Sequence, residues 1–216
     1  ILLQPNLSTS IVLVVIWFAM LWIAGLPTKT LLILGGAAIV IFVIGFPQLE
    51  PYQQTRILDF ISQNPGATHG NMYNVNQAKI SIGSGGLFGQ GYGNSSQVQL
   101  RFLQVRQTDY IFSAIAAEFG FMGTLGVIGM LTFIILRCLR IARNAADVYG
   151  AMISYGFAIL IFFQTVVNIG VNLNVIPVTG LTLPFVSYGG SSLISLLIGI
   201  GFIESVAVHH TVGKNG

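Results

Sequence analysis

The sequence predicts an all-α membrane protein, a polytopic bundle of about five spanning helices with a long extracytoplasmic loop and a second, Pro/Gly-rich outer loop. Three observations predict it. Of 216 residues, 54% are hydrophobic and only 7% are charged, and the mean hydropathy is +0.81, a composition foreign to soluble domains. Apolar runs long enough to cross a bilayer, for which about 20 residues suffice, occur at roughly 8–26, 29–46, 110–136, 148–172 and 190–208. Polar sequence is gathered between them, above all in residues 47–108.

The order of elements follows from charge as well as hydropathy. Lys29 lies in the turn after the first run, Arg137, Arg140 and Arg143 follow the third, and Lys214 lies in the tail. If the helices alternate, all five fall on one side, and short cytoplasmic loops are the ones that retain Lys and Arg. Residues 47–108 and 173–189 are therefore expected outside. No cleavable signal peptide is recognisable ahead of the first run. The chain reads as one membrane domain, 1–216, forming the later half of a larger polytopic protein. Cys138 is the single cysteine, so no intrachain disulfide is expected, and its default role is structural.

The first outer loop runs 62 residues from Pro47 to Thr108, a length that is usually functional or disordered. Within it, PYQQTRILDFIS sets Tyr52, Ile57, Leu58 and Ile61 beside Arg56 and Asp59, a pattern for a helix lying at the interface or capping the spans. NVNQAKISIG suggests another short helix, ended by Gly83. Six glycines then follow at 83, 85, 86, 89, 91 and 93. Such a run can array backbone N–H groups around phosphate oxygens, but tight turns and close backbone packing are its commoner meaning. No Gly-Lys-Ser/Thr follows, and the spacing misses GxGxxG, so it is not a nucleotide loop.

Asp109 stands where this loop meets the third run, with Lys79, Arg101 and Arg106 upstream. An acid at the mouth of a span, with cations near it, suits chemistry on an anionic lipid head group. Equally, Thr108 and Asp109 can cap the helix that follows. Glu118 lies nine residues on, about 13 Å deeper at 1.5 Å per residue and on the opposite helix face. It is expected to hydrogen-bond to a neighbouring span rather than pair with Asp109. The second outer segment, NVIPVTGLTLPFVSYGG, carries too many breakers for a continuous helix. It either dips back toward a cavity or caps the bundle. Glu204, His209 and His210 gather at the far end of the fifth run without a third metal ligand. No nucleophile, zinc or haem motif appears, and no nucleic-acid partner is implied.

Four stretches together resemble one family: QPNLSTS at 4–10, AKISIGSGGLFGQG at 78–91, QTDYIF at 107–112 and PVTGLTLPFVSYGGSS at 177–192. The chain is similar over essentially its whole length to the later half of the SEDS proteins, the shape, elongation, division and sporulation group. QVQLRFLQVRQTDYIF makes it RodA-like more than FtsW-like. The resemblance implies a peptidoglycan glycosyltransferase of the bacterial cytoplasmic membrane, polymerising lipid II during cell-wall elongation at an outward-facing site. Asp109 is then the catalytic carboxylate, acting as general base, and undecaprenyl diphosphate is the leaving group. Lys79, Arg101, Arg106, Ser187 and Gly189 become substrate-binding candidates, with Thr108 and Glu118 in support. A diphosphate needs positive charge or backbone donors, which Lys79 and Arg106 answer first. No cofactor is evident, although a divalent cation could assist. The implied partner is a class B penicillin-binding protein, a transpeptidase.

The sequence departs from the family pattern at Asn6, Ser8, Gln104 and Gln107, where Asp, Gly, Pro and His are usual, and at Ala117, where an acid normally precedes Glu118. Two other classes stay open. A lipid-precursor flippase would depend on midspan polar groups such as Gln164, Asn168, Asn172 and Glu118, and a non-catalytic membrane subunit of a synthase complex would tolerate loss of Asp109.

Overall fold

The computed structural model describes residues 7–48, 50–62, 70–95 and 107–214. Its helices are α1 (Leu7–Ile23), α2 (Thr28–Gly45), α3 (Pro51–Ser62), α4 (Gly70–Gly85), α5 (Ile111–Arg143), α6 (Val148–Asn172) and α7 (Gly190–Lys214), with a short 3-10 turn at Phe46–Gln48. No strand occurs among the described residues. Helices α2, α5, α6 and α7 are long and apolar enough to cross a membrane, and α1 is apolar but shorter.

Helix α6 is the hub of the bundle, packing along α5 and receiving α1 and α7 on its other faces, while α4 lies against α5 and α2 rests on α1. Its sequence explains this position. Val148 to Ile203 contains no Asp, Glu, Lys or Arg, so nothing charged opposes burial. Gly150, Ser154 and Ala158, spaced by four, are all buried, which puts small residues on one face where helices can approach closely. A Cβ at Gly150 would lie 2.9 Å from Val206, and one at Gly199 would lie 2.1 Å from the Phe157 ring. Both glycines therefore set the α6–α7 distance. Asp147 caps α6 by accepting from the Gly150 N–H at 3.2 Å, relieving one of the unpaired donors of the first turn.

Helix α5 is broken at Gly120, which has φ 68° and ψ −163°. In an unbroken helix the N–H groups of Phe121 and Met122 would donate to Ala117 and Glu118. Here they donate to Gly86 O (2.9 Å) and Leu87 O (3.1 Å), while Ala117 O and Glu118 O accept from Gln90 N (3.0 Å) and Gly91 N (3.0 Å). The glycine-rich strap after α4 is thus spliced into the helical ladder, and each backbone group it displaces finds a new partner. Unpaired peptide groups at this depth would cost several kcal/mol each. Side chains cannot fit here: a Cβ would come within 1.8 Å of Ala116 O from Gly85, 2.1 Å of Glu118 O from Gly89 and 2.3 Å of Gly89 N from Gly120. The glycines serve close backbone packing, and the N–H groups of Gln90 and Gly91 are spent within the protein.

Several sequence-based expectations change. The helix expected to stop at Gly83 begins at Gly70 and runs to Gly85, turning at Gly86 with φ 54°, because the reversal into the strap falls there. The link expected to begin at Arg137 is helical to Arg143, which extends α5 beyond its apolar core. Residues 173–189 hold no regular helix, and Leu183 and Pro184 are almost wholly buried. Leu183 joins Phe112, Ile161 and Leu196 in one cluster, so the segment dips between α5, α6 and α7 instead of lying over them.

Gly120→Ala and Gly89→Ala should each lower stability by about 2–4 kcal/mol, since positive-φ strain adds to overpacking. Gly126→Ala, whose Cβ meets nothing within 4 Å, should be neutral or raise it by up to about 1 kcal/mol. Thermal unfolding of the three variants in one detergent checks the contrast.

Candidate active site

Asp109 sits in the turn Gln107 to Tyr110, one residue ahead of the N-cap of α5. The expected cap by Thr108 and Asp109 does not form. Tyr110 is the N-cap residue and makes no side-chain capping bond, because the turn is held from outside. Three successive carbonyls are gripped in it. Gln107 O accepts from Tyr188 N at 2.8 Å, Thr108 O accepts from Ser187 Oγ at 2.7 Å, and Asp109 O accepts from both Asn168 Nδ2 (3.1 Å) and Asn172 Nδ2 (2.9 Å).

The two asparagines are 1% and 0% exposed and, four apart, share one face of α6. Asn168 also donates to Leu181 O at 2.8 Å. Asn172 Oδ1 accepts from Ser113 N (3.1 Å) and Ser113 Oγ (2.5 Å). This buried amide pair ties the start of α5 and the 173–189 segment to α6. Its sequence signal was an i, i+4 amide pair in an uncharged span, costly in a membrane and therefore informative. Among the described residues the Asn168 and Asn172 side-chain amides are spent on hydrogen bonds to Asp109 O, Leu181 O, Asn168 O and Ser113.

The Asp109 side chain is left half-buried. Burial raises its pKa above the ordinary carboxylate value, opposed by a Thr108 side-chain hydrogen bond and by the positive charge of Arg56. Arg56 was legible only as part of an amphipathic helix. It reaches from α3 to donate to Thr179 O at 3.4 Å, with its guanidinium 5.7 Å from the centre of the Tyr52 ring. No ion pair joins Arg56 to Asp109 among the described residues. Between them lies Gly180 (φ 77°), where a Cβ would be 3.8 Å from Asp109 Oδ2 and 4.0 Å from Arg56 Nη1.

On the other side of Gly180 a cavity of about 390 Å³ opens, lined by Arg56, Tyr52, Gln53, Phe42 and Thr179. Ser8 Oγ donates to Thr179 O at its edge, while the buried Thr179 hydroxyl has no hydrogen-bond partner among the described residues.

The remaining candidates are dispersed. Lys79 is exposed on α4, and the cation acting on Asp109 is Arg56. Arg101 and Arg106 lie outside the described residues. The Ser187 hydroxyl is engaged on both sides, donating to Thr108 O and accepting from Leu183 N at 2.8 Å. Gly189 accepts from Leu193 N at 2.9 Å, opening α7. Among the described residues Glu118 is bonded by the spliced strap, Gly93 N donating to its carboxylate at 3.3 Å, and not by a neighbouring span. Among the described residues no group of three His, Cys, Asp or Glu side chains gathers to hold a metal ion.

Residues 1–212 match the family model FTSW_RODA_SPOVE, described as cell cycle protein. The probable peptidoglycan glycosyltransferase FtsW of Coxiella burnetii is 38% identical over 213 residues, covering 95% of this chain and 55% of that protein. Peptidoglycan glycosyltransferase MrdB of Escherichia coli K12 is 36% identical over 211 residues, covering 95% and 56%. The chain spans about half the length of these curated relatives. Among solved structures, a chain from a peptidoglycan synthase complex coordinating polymerization and crosslinking superimposes with TM-score 0.76 at 34% identity, over 96% of this chain and 56% of that one. The rod shape determining protein RodA of Thermus thermophilus superimposes with TM-score 0.59 at 32% identity, over 96% and 50%.

Asn172→Leu strands the Ser113 N–H and removes a donor from Asp109 O, at about 1–3 kcal/mol for each buried group left unpaired. Lys79→Ala should stay within about 0.5 kcal/mol of wild type. Chemical denaturation of both variants in detergent decides whether the buried amide is the anchor described.

Proposed function

Because this chain belongs to the FtsW, RodA and SpoVE family of cell cycle proteins, we propose that it is the later half of a peptidoglycan glycosyltransferase that polymerises lipid II, with Asp109 as general base. The observation that carries this reading is the state of Asp109: its main chain is fixed by buried amides, while its side chain keeps a raised pKa beside a cavity lined by the Arg56 guanidinium. A base works best with a pKa drawn toward the working pH, and burial moves a carboxyl in that direction.

In this mechanism Asp109 takes the proton from the 4-hydroxyl of the acceptor GlcNAc. That oxygen bonds to C1 of the donor MurNAc as the bond from C1 to the diphosphate breaks. Undecaprenyl diphosphate leaves with the electron pair, and inversion converts an α-linked donor into a β-1,4 linkage. Arg56, lining the cavity, supplies the positive charge that a departing diphosphate requires. Lys79, Arg101 and Arg106 remain candidates for longer-range attraction of the lipid-linked anion, and Ser187 and Gly189 act on the site through the backbone they hold.

The multi-pass placement in a bacterial inner membrane follows from the family and the apolar helices. We assign the Asp109 end, with residues 47–108 and 173–189, to the outer side, because Arg137, Arg140 and Arg143 at the opposite end give the inner side its positive charge. A class B penicillin-binding protein is the proposed transpeptidase partner. RodA-like duty in elongation is favoured by QVQLRFLQVRQTDYIF, although Gln107 stands where the family has His.

Full-length protein with its transpeptidase partner should make glycan chains from lipid II. Asp109→Asn should lower the rate by about 10²–10⁴-fold, the usual share of a general base. Equal polymer from a folded Asp109→Asn variant would exclude Asp109 as the base.

The pH profile gives a second test. Rate requires the Asp109 anion, so it should rise with pH along a limb lying above the ordinary carboxylate range. Arg56→Ala removes a charge that lowers this pKa and should move the limb to still higher pH. It should also cut the plateau rate by about 10²-fold, through loss of charge opposite the leaving group. A limb that does not move would separate Arg56 from Asp109.

A further inference from the structure

A second built site lies at the opposite end of the bundle. The last turns of α5 and Tyr155 of α6 line an open cavity of about 750 Å³, with Arg140, Arg143 and Asn144 toward the end of α5. Leu136 and Leu139, one to two turns back along α5, complete its lining. The same two leucines open a second cavity of about 370 Å³, continued by Thr132, Ile135, Ile159 and Phe162. One groove therefore runs from a basic mouth to an apolar stem. Along α5, the 11 positions from Arg143 to Thr132 cover about 16 Å, the depth of one leaflet of a hydrocarbon layer about 30 Å thick.

Both arginines are exposed, and no carboxylate lines either cavity. The nearest acid along the chain, Asp147, is committed to capping Gly150 N. Among the described residues neither guanidinium has an ion-pair partner. We propose that this groove binds an anionic phospholipid of the leaflet opposite Asp109, with the phosphate head at Arg140 and Arg143 and one acyl chain along Leu136, Leu139 and Phe162.

The shape of the groove selects this occupant over others. A soluble anion would fill the mouth and leave the stem empty, and a neutral lipid would leave two cations unanswered. An apolar helix laid over the stem would bring its own surface against the two guanidiniums. An anionic lipid satisfies both halves at once, as basic pockets between spanning helices do on the cytoplasmic side of membranes. General attraction of arginines to a bilayer surface needs no cavity, and this difference makes the proposal testable.

The experiment is native mass spectrometry of the full-length protein in micelles containing equal amounts of phosphatidylglycerol and phosphatidylethanolamine. It reads lipid retention and is independent of polymerisation. Wild type should retain one phosphatidylglycerol at least fivefold over phosphatidylethanolamine. Arg140→Ala with Arg143→Ala should abolish the preference, and the glutamine pair replaces it if the alanine pair fails to fold. Thr132→Trp fills the exposed stem without changing charge and should reduce phosphatidylglycerol retention at least fivefold.

Three results would overturn the proposal. Absence of a retained phosphatidylglycerol in wild type would mean that another part of the protein covers the groove. Unchanged preference in the arginine variants would move the head group elsewhere. Unchanged retention in Thr132→Trp would leave only surface charge at work.

Discussion

The hold on three consecutive carbonyls, at Gln107, Thr108 and Asp109, is the constraint from which the Asp109 end of this bundle follows. Each is gripped by a residue from elsewhere: Tyr188 and Ser187 from the 173–189 segment, Asn168 and Asn172 from α6. The turn before α5 is thereby fixed to the hub helix and to an irregular segment at the same time. Ser187 relays the contact, since it receives Leu183 N while donating to Thr108 O. Irregular backbone survives among spanning helices only where such partners exist. With all three main-chain acceptors engaged, the Asp109 carboxyl is the polar part of that residue left available to a ligand.

The break in α5 obeys the same rule by a different route. Its orphaned peptide groups at Ala117, Glu118, Phe121 and Met122 are answered by backbone from the strap, not by side chains. The approach is possible because Gly85, Gly89 and Gly120 present no Cβ at the contact. Tyr110, the residue that follows Asp109, is buried with Val75 and Ala78 of α4 and Val167 and Val171 of α6, and so ties the turn to both helices. The main chain that carries the carboxyl is thus held by the α6 amides at Asp109 O and, through Tyr110, by α4.

Much of this was legible in the sequence, and the limits have physical causes. Apolar runs placed the spanning helices, and PYQQTRILDFIS placed α3 at Pro51–Ser62, because hydropathy and helix periodicity are local properties. Asp109 stood out for the same reason, as an acid at the edge of an apolar run. Arg56 did not, since its relation to Asp109 crosses 53 positions of chain and exists only after α3 folds against Thr179 and Gly180. Lys79 was near in motif and proves exposed on α4. From sequence Asn168 and Asn172 are polar groups in a span that a transport path would use, and spacing alone does not reveal that their amide nitrogens donate to carbonyls. The strap–α5 splice escaped for a similar reason: glycine richness announces close packing without naming what is packed.

The separation of Arg56 from Asp109 carries the chemical argument one step further. A close ion pair would hold the carboxylate firmly ionised and draw its pKa down, weakening it as a base and occupying the cation. Held apart across Gly180, the two act on each other more weakly: burial dominates at Asp109 and raises its pKa, while the guanidinium keeps donors for another anion. A side chain at Gly180 would have to adopt φ 77°, a region that disfavours residues with a Cβ, and would fill the gap. Under the proposed mechanism that gap is where donor and acceptor must meet, because proton removal and diphosphate departure occur at opposite ends of one reacting centre. A base and a cation serving those two ends have to be neighbours without being partners, and the backbone at Gly180 is what keeps them so.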